Sequence, residues 1–272
     1  MTDKHQIESK MRVLKLSGMV ETLDMRLDQA QKDGVNFTQF LEMLLEDEVQ
    51  HRTNKRLSTR IIRAHFEEEK SLEGFDFNFN PKLPAQYIRE LATCQFMERK
   101  ESVILCGPVG VGKTHLAQAL GHQACRSGYN VLFMKTSRLL ADLGGGRADE
   151  TWEKRIQHYL KPNLLIADDF AMKEFTKTQA EDLYELIDRR HHTGSLIVTA
   201  NRAPKDWYPL FPNPVIAESA LDRLISGAHM ITLTGKSYRS QLRPNKDLDK
   251  ECAWHNNREP YIRKTAFEKG AT

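Results

Sequence analysis

The spacing of apolar positions changes character along the chain. Leu16, Val20, Leu23 and Leu27 recur at steps of four, three and four, one face of an amphipathic helix. "KDGVN" interrupts that helix, and Phe40, Leu41, Leu44, Leu45 and Val49 open a second helical segment that runs into "HRTNKRLSTRIIRAHF". In "SLEGFDFNFNPKLP" the pattern becomes an alternation: Phe75, Phe77 and Phe79 stand between polar residues, bounded by a glycine and two prolines, as in an extended strap. A short helix is predicted over 85–99. Beyond it, apolar runs of strand length alternate with helical patterns: "SVILC" (102–106), "NVLFMK" (130–135), "NLLIAD" (163–168), "SLIVTA" (195–200) and "HMITLT" (229–234). Such runs, with helices between them, predict an α/β fold with a five-stranded parallel sheet covered on both faces. The organisation expected is a small all-α region over 1–70, a strap over 71–84, an α/β domain over 85–240 and a weakly patterned polar tail over 241–272.

Composition narrows the class only slightly. At 272 residues the chain has room for one sizeable domain and an appendage. Forty basic residues against 37 acidic ones leave a formal +3, too little to argue for nucleic acid or membrane from net charge. Cys94, Cys106, Cys125 and Cys252 form no C-x-x-C pair, so neither a zinc site nor a disulfide framework is expected. No signal-peptide core and no run of about 18 apolar residues is visible, which predicts a cytoplasmic protein with no membrane partner. His191 and His192 are adjacent rather than at ligand spacing, and no nuclease constellation stands out.

The chemistry is concentrated at strand ends. Gly107 to Thr114, "GPVGVGKT", fits G-x-x-x-x-G-K-[ST] between a predicted strand and a helix. In such a loop the glycines let backbone N–H groups face phosphate oxygens, and the helix N-terminus adds positive potential. Gly107, Pro108, Val109, Gly110, Val111, Gly112, Lys113, Thr114 and His115 are therefore the expected nucleotide-binding residues, with Lys113 on the phosphates and Thr114 on magnesium. "LLIADD" ends a buried strand in two acids: Asp168 is suited to hold magnesium with Thr114, and Asp169 to polarise an attacking water. The alternative for Asp169 is a helix cap. Asn201 closes "LIVTAN" at the same sheet edge and is a candidate to orient that water; the alternative is a turn asparagine. Arg223 precedes the last strand and Arg239 follows it, both suited to bidentate phosphate contact. Arg52, Arg56, Arg60 and Arg63, spaced by four, four and three, would form a helical stripe able to meet DNA phosphates or simply remain solvated beside Glu67 to Glu69.

Taken together, "GPVGVGKTHLAQALG", "LLIADDF", "LYELIDRRHHTGSLIVTANRAPKDW", "ALDRLISGAHMITLTGKSYR" and the strap resemble the IstB-type ATP-binding proteins of bacterial insertion sequences. These lie within the AAA+ superfamily, close to DnaC-type helicase loaders, and the likeness runs from about residue 10 to 240. The resemblance implies an AAA+ P-loop ATPase using ATP and Mg2+, which forms a homo-oligomer on duplex DNA and recruits or activates a cognate transposase. It implies Walker A roles for Lys113 and Thr114, Walker B for Asp168 and Asp169, sensor 1 for Asn201, arginine finger for Arg223 and sensor 2 for Arg239. By the same analogy Lys135 and Arg138 are further DNA candidates. Two departures stand out: Ala171 where relatives often have glycine, and Asp169 where the superfamily commonly has glutamate. Only 33 residues follow Arg239, too few for a C-terminal lid with its own core, so a neighbour is expected to complete the site. The alternatives are a helicase loader, a small-molecule P-loop kinase and a binding module with a structural ATP site.

Overall fold

The computed structural model describes residues 4–80 and 83–239; the tail expected over 241–272, with Cys252, lies outside them. Three helices come first: α1 (Lys4–Val13), α2 (Ser17–Asp33) and α3 (Phe37–Ala64). The apolar spacing did not foretell α1, which buries no residue. Gly34 ends α2 in the left-handed conformation and returns its amide to Ala30, which accounts for the break at "KDGVN". Asn36 then starts α3 through a capping box with Gln39. The first half of α3 packs on α2 around Met19, Leu23 and Leu44. Its second half brings Leu57, Ile61 and Ala64 against the core of the following domain.

The strap differs from expectation. Residues 65–80 form bends and turns rather than an extended strand, and Glu68 and Ser71 hydrogen-bond to the helix that follows the glycine loop. Phe75 and Phe77 meet edge to face at 4.9 Å and pack on the core. The helix predicted over 85–99 is two, α4 (Ala85–Leu91) and α5 (Gln95–Glu98), because Cys94 adopts φ 63° between them.

The remaining elements are β1 (Ser102–Cys106), α6 (Lys113–Arg126), β2 (Val131–Lys135), α7 (Thr136–Ala148), α8 (Trp152–Leu160), β3 (Leu164–Phe170), α9 (Lys177–Arg190), β4 (Ser195–Ala200), α10 (Pro214–Ser226) and β5 (Ala228–Thr232). All strand pairs are parallel, in the order β2-β3-β4-β1-β5. One face of the sheet is covered by α6, α4, α5 and the end of α3, and the other by α7 to α10. This is the doubly covered α/β architecture with the AAA+ strand order. Among the described residues no helical lid follows β5, and no helix is long and apolar enough to cross a membrane. Every β→α connection leaves the carboxyl edge of the sheet, so side chains at the strand ends converge there.

Candidate nucleotide-binding site

The glycine loop leaves β1 at Cys106 and enters α6 at Lys113. Gly110 has φ 83°, and a β-carbon on it would lie 1.9 Å from Ser237 Oγ; Gly112 has φ 97°, and its β-carbon would come within 2.8 Å of the Phe75 ring. Pro108 and Val109 form the exposed crest, whereas Val111 is buried. The chain after β5 lies directly against this loop. Leu233 N donates to Cys106 O at 2.7 Å, and Tyr238 N donates to Gly110 O at 2.8 Å. From below, His115 Nε2 is 3.1 Å from Ser71 O, and burial pushes the ring's pKa down.

Lys113 is buried, and its ammonium donates to Gly107 O at 2.8 Å and Pro108 O at 2.7 Å. Burial lowers its pKa and Arg239 adds repulsion, while Asp169 and Asp168 oppose both. Arg239 is therefore close enough to act on the lysine of the loop. It is exposed at the end of the described chain.

Asp168 is a buried carboxylate, 1% exposed. Thr114 Oγ1 donates to its Oδ1 at 2.9 Å, and Thr199 Oγ1 donates to the same oxygen at 2.6 Å. Burial raises the Asp168 pKa against these two hydrogen bonds. The pairing of β3 with β4 shifts register between Ala167 and Phe170, so Asp168 and Asp169 together oppose Thr199. Such a bulge re-aims side chains at a strand end. Asp169 N donates to Thr199 Oγ1 at 3.0 Å, and Asp169 and Ala171 each have φ 56°. One threonine hydroxyl thus fixes both acids. The left-handed turn at Ala171 is the conformation for which glycine is the usual residue. Asn201 reaches the same edge, where its Nδ2 lies 3.0 Å from Met172 Sδ.

Sequence reasoning missed Thr199. Its only signal is a hydroxyl inside an apolar run, two places before Asn201. Thr136, whose hydroxyl donates to Asp168 O at 2.9 Å, was missed as well; between Lys135 and Ser137 it carries no local signal.

The glycine loop, strap and donors fit a magnesium nucleotide. Side-chain-free positions border the loop, Lys113 holds its ammonium against the loop at the start of α6, and two hard oxygen donors, Thr114 and Asp168, stand together.

Arg223 lies elsewhere. Its Nε pairs with Asp188 Oδ1 at 3.0 Å, its Nη1 donates to Ser219 O and Oγ, and its guanidinium sits over the Tyr184 ring. It lines a small groove with Ser102, which opens β1, and Gly227, which precedes β5, together with Arg99, Lys100 and His192. That groove is at the amino edge of the sheet, one β1 length, roughly 17 Å, from the glycine loop.

The basic candidates separate into paired and unpaired groups. Arg52 Nε pairs with Glu48 at 2.7 Å, while Lys135 pairs with Glu67 at 3.2 Å and acts on Asp168 as a nearby positive charge. Arg56 and Arg63 are exposed, Arg60 is half-buried, and Arg138 lines a groove of about 750 Å³ between α7 and α8. Glu68 pairs with Lys70, so Glu67 and Glu68 do not neutralise the arginine stripe. Among the described residues no group of histidines, cysteines or acids forms a metal cluster.

The family model for IstB-like ATP binding proteins matches residues 9–246. This chain belongs to that family. A Mycobacterium tuberculosis protein, named for ATP binding in an insertion sequence, is 53% identical over 241 residues, covering 88% of this chain and 96% of its own length. A Pseudomonas aeruginosa relative, named for ATP binding in insertion sequence IS21, is 36% identical over 235 residues, 86% of this chain and 89% of its own. Among solved structures, AMPPCP-bound DnaA of Aquifex aeolicus superposes with a TM-score of 0.54 at 18% identity, over 71% of this chain and 58% of DnaA. DnaI gives the same score and identity over 61% of this chain and 92% of its own. The family is one of ATP-binding proteins of insertion sequences, and the likeness to DnaA and DnaI concerns the AAA+ fold alone.

Proposed function

We propose that this IstB-like protein is an ATPase that assembles on duplex DNA and delivers it to a cognate transposase, with hydrolysis ending the assembly. The observation that carries this reading is the separation of Arg223 from the glycine loop, at opposite edges of one sheet. An arginine so far from its own Lys113 can stabilise phosphate charge only in a neighbouring subunit. Each subunit then completes the next, and turnover depends on assembly.

Within one subunit, Lys113 and the loop amides hold the ATP phosphates. Thr114 and Asp168 hold Mg2+, which supplies charge neutralisation on the phosphate oxygens. Asp169 accepts a proton from the attacking water, oriented by Asn201, and Arg239 adds positive charge over the loop. A side chain one methylene shorter than glutamate slows this step. Arg56, Arg63 and Arg138 are available for duplex phosphates, a salt-dependent and sequence-indifferent contact. The work takes place in the cytoplasm. The insertion-sequence kinship favours a transposase over a replicative helicase as the partner, and no lid between the strands favours a kinase.

Wild type and Arg223→Ala are to be weighed by mass photometry with ATP, ADP or no nucleotide, each with and without a random-sequence duplex, while turnover is followed. Wild type should form a large complex only with ATP and duplex together. The variant should bind ATP as before and hydrolyse it at least about a thousandfold more slowly. A wild-type monomer in every mixture, or loss of ATP binding in the variant, would sink the shared site.

A further inference from the structure

Arg223 is held more firmly than a surface arginine needs to be. Tyr184 and Asp188 stand four residues apart on α9, and Ser219 and Arg223 four apart on α10, so each pair shares one helix face. The two helices pack on each other and on a common core. Arg223 Nε pairs with Asp188 Oδ1 at 3.0 Å, Nη1 donates to Ser219 O at 2.8 Å and Ser219 Oγ at 2.6 Å, and the guanidinium carbon lies 5.6 Å from the centre of the Tyr184 ring. Among the described residues these contacts occupy Nε and Nη1, and the two hydrogens of Nη2 remain for a phosphate oxygen.

An ion pair this open adds little to a fold, since the side chains of Arg223 and Asp188 are 34% and 42% exposed. What it restricts is the arginine. A free arginine samples many rotamers, and ordering it on a phosphate costs that freedom at the moment of reaction. Here the freedom is given up in the fold. Ser219 cannot do this alone, because it lies one turn back on the same helix and engages a single nitrogen. Asp188 comes from a second helix and fixes the guanidinium plane at a second point. Arg99 and Lys100 line the groove with Arg223, and the acid paired with Arg223 offsets their like charge. We infer that Asp188 is a positioning residue for ATP hydrolysis: it holds Arg223 of its own subunit in the orientation that meets the phosphates bound by the next. The inference rests on the shared site proposed above and adds to it a residue that touches no nucleotide. Masking of Arg223 by Asp188 is the weaker role, because Nη2 stays open while the pair is formed.

The test mixes full-length subunits before ATP and duplex are added. A Lys113→Ala subunit lacks a working loop of its own but supplies Arg223, whereas an Arg223→Ala subunit has the loop and supplies no arginine. Each alone should be inactive, and the mixture should recover turnover where the two meet. Asp188→Ala in the Lys113→Ala subunit should then cut the recovered kcat roughly tenfold to a hundredfold, and Asp188→Asn, which keeps an oxygen for Nε, should restore part of it. The same Asp188→Ala in the Arg223→Ala subunit should change nothing. ATP affinity and the circular dichroism spectrum should stay as in the parent subunits, and weaker folding or binding could not produce such a dependence on side. Equal loss from either side, no loss from either, or faster turnover overturns the inference and leaves the shared site standing. A mixture of the two parents that recovers nothing overturns both.

Discussion

Arg190 and Glu48 perform the same task with opposite charge in the two halves of the molecule. In the sheet domain, Arg190 is fully buried and its two terminal nitrogens donate to the carbonyls of Tyr159, Leu160, Pro162, Asn163 and Ser195. In the helical region, Glu48 accepts the amides of Gly18 and Met19 at the start of α2 and pairs with Arg52. The settings differ. The sheet domain has two continuous cores around its strands, whereas α2 and α3 share only Met19, Leu23 and Leu44 with a few half-buried neighbours. A large core can carry costly features such as Arg190, a desolvated Asp168 and the left-handed Asp169 and Ala171. A small one depends on its polar staple.

Removing Arg190 should break the comparison most severely. Arg190→Met removes the donors to the Tyr159, Leu160 and Pro162 carbonyls at and after the end of α8, and should cost about 3–5 kcal/mol, seen as a fall in the urea midpoint with an unchanged slope. A loss under about 1 kcal/mol would mean that water reaches these carbonyls and that the arginine is incidental.

Glu48→Gln should cost about 2 kcal/mol, confined to the helical region and read by hydrogen exchange in α2 and the first half of α3. Burial works to raise the Glu48 pKa, but Arg52 and the two amides outweigh it and the carboxyl titrates below its ordinary value. A depressed carboxylate stabilises the fold above the unfolded pKa and loses that contribution as pH falls. The wild-type α2–α3 pair should therefore loosen below about pH 4, a step absent from the variant. Equal acid sensitivity in both proteins would remove Glu48 from that role.

The same contrast explains what the sequence made legible. The strands of the sheet, "SVILC" and "LLIADD" above all, are apolar on both faces and bounded by glycine or acid, so local pattern and tertiary position agree. The glycine loop and the two acids could be placed for the same reason. Arg190, in "DRRHH", reads as solvated charge until the turn after α8 folds over it. Thr199 reads as an ordinary β-branched strand residue until a bulge in β3 sets two acids against it. These roles are created by register and by chain reversal, which no window of neighbouring residues contains. Helix α1 was silent because it buries nothing, and the break at Cys94 because a left-handed cysteine has no sequence signature.

The smallest expected change is also the one that links the domain's stability to its chemistry. Asp168 is buried, and burial, aided by the charge of Asp169, raises its pKa despite the hydroxyls of Thr199 and Thr114. For a carboxyl with a raised folded pKa the sign is reversed from that of Glu48: the ionised form costs the fold stability above the folded pKa, and the cost vanishes below the unfolded one. Asp168→Asn keeps an oxygen for both threonines and removes the charge. In the absence of nucleotide it should raise Tm by about 2–4 °C, near 1 kcal/mol for a chain of this size. With Mg2+ and ATP the order should invert, because a carboxylate can hold the cation whose charge offsets its burial and an amide holds it poorly. A melting temperature that falls in the variant without nucleotide would mean that the carboxylate is held chiefly as a structural acceptor for Thr114 and Thr199. Inversion on adding Mg2+ and ATP, lost when Mg2+ is withheld, would identify Asp168 as a group kept unstable in the fold for the cation it binds.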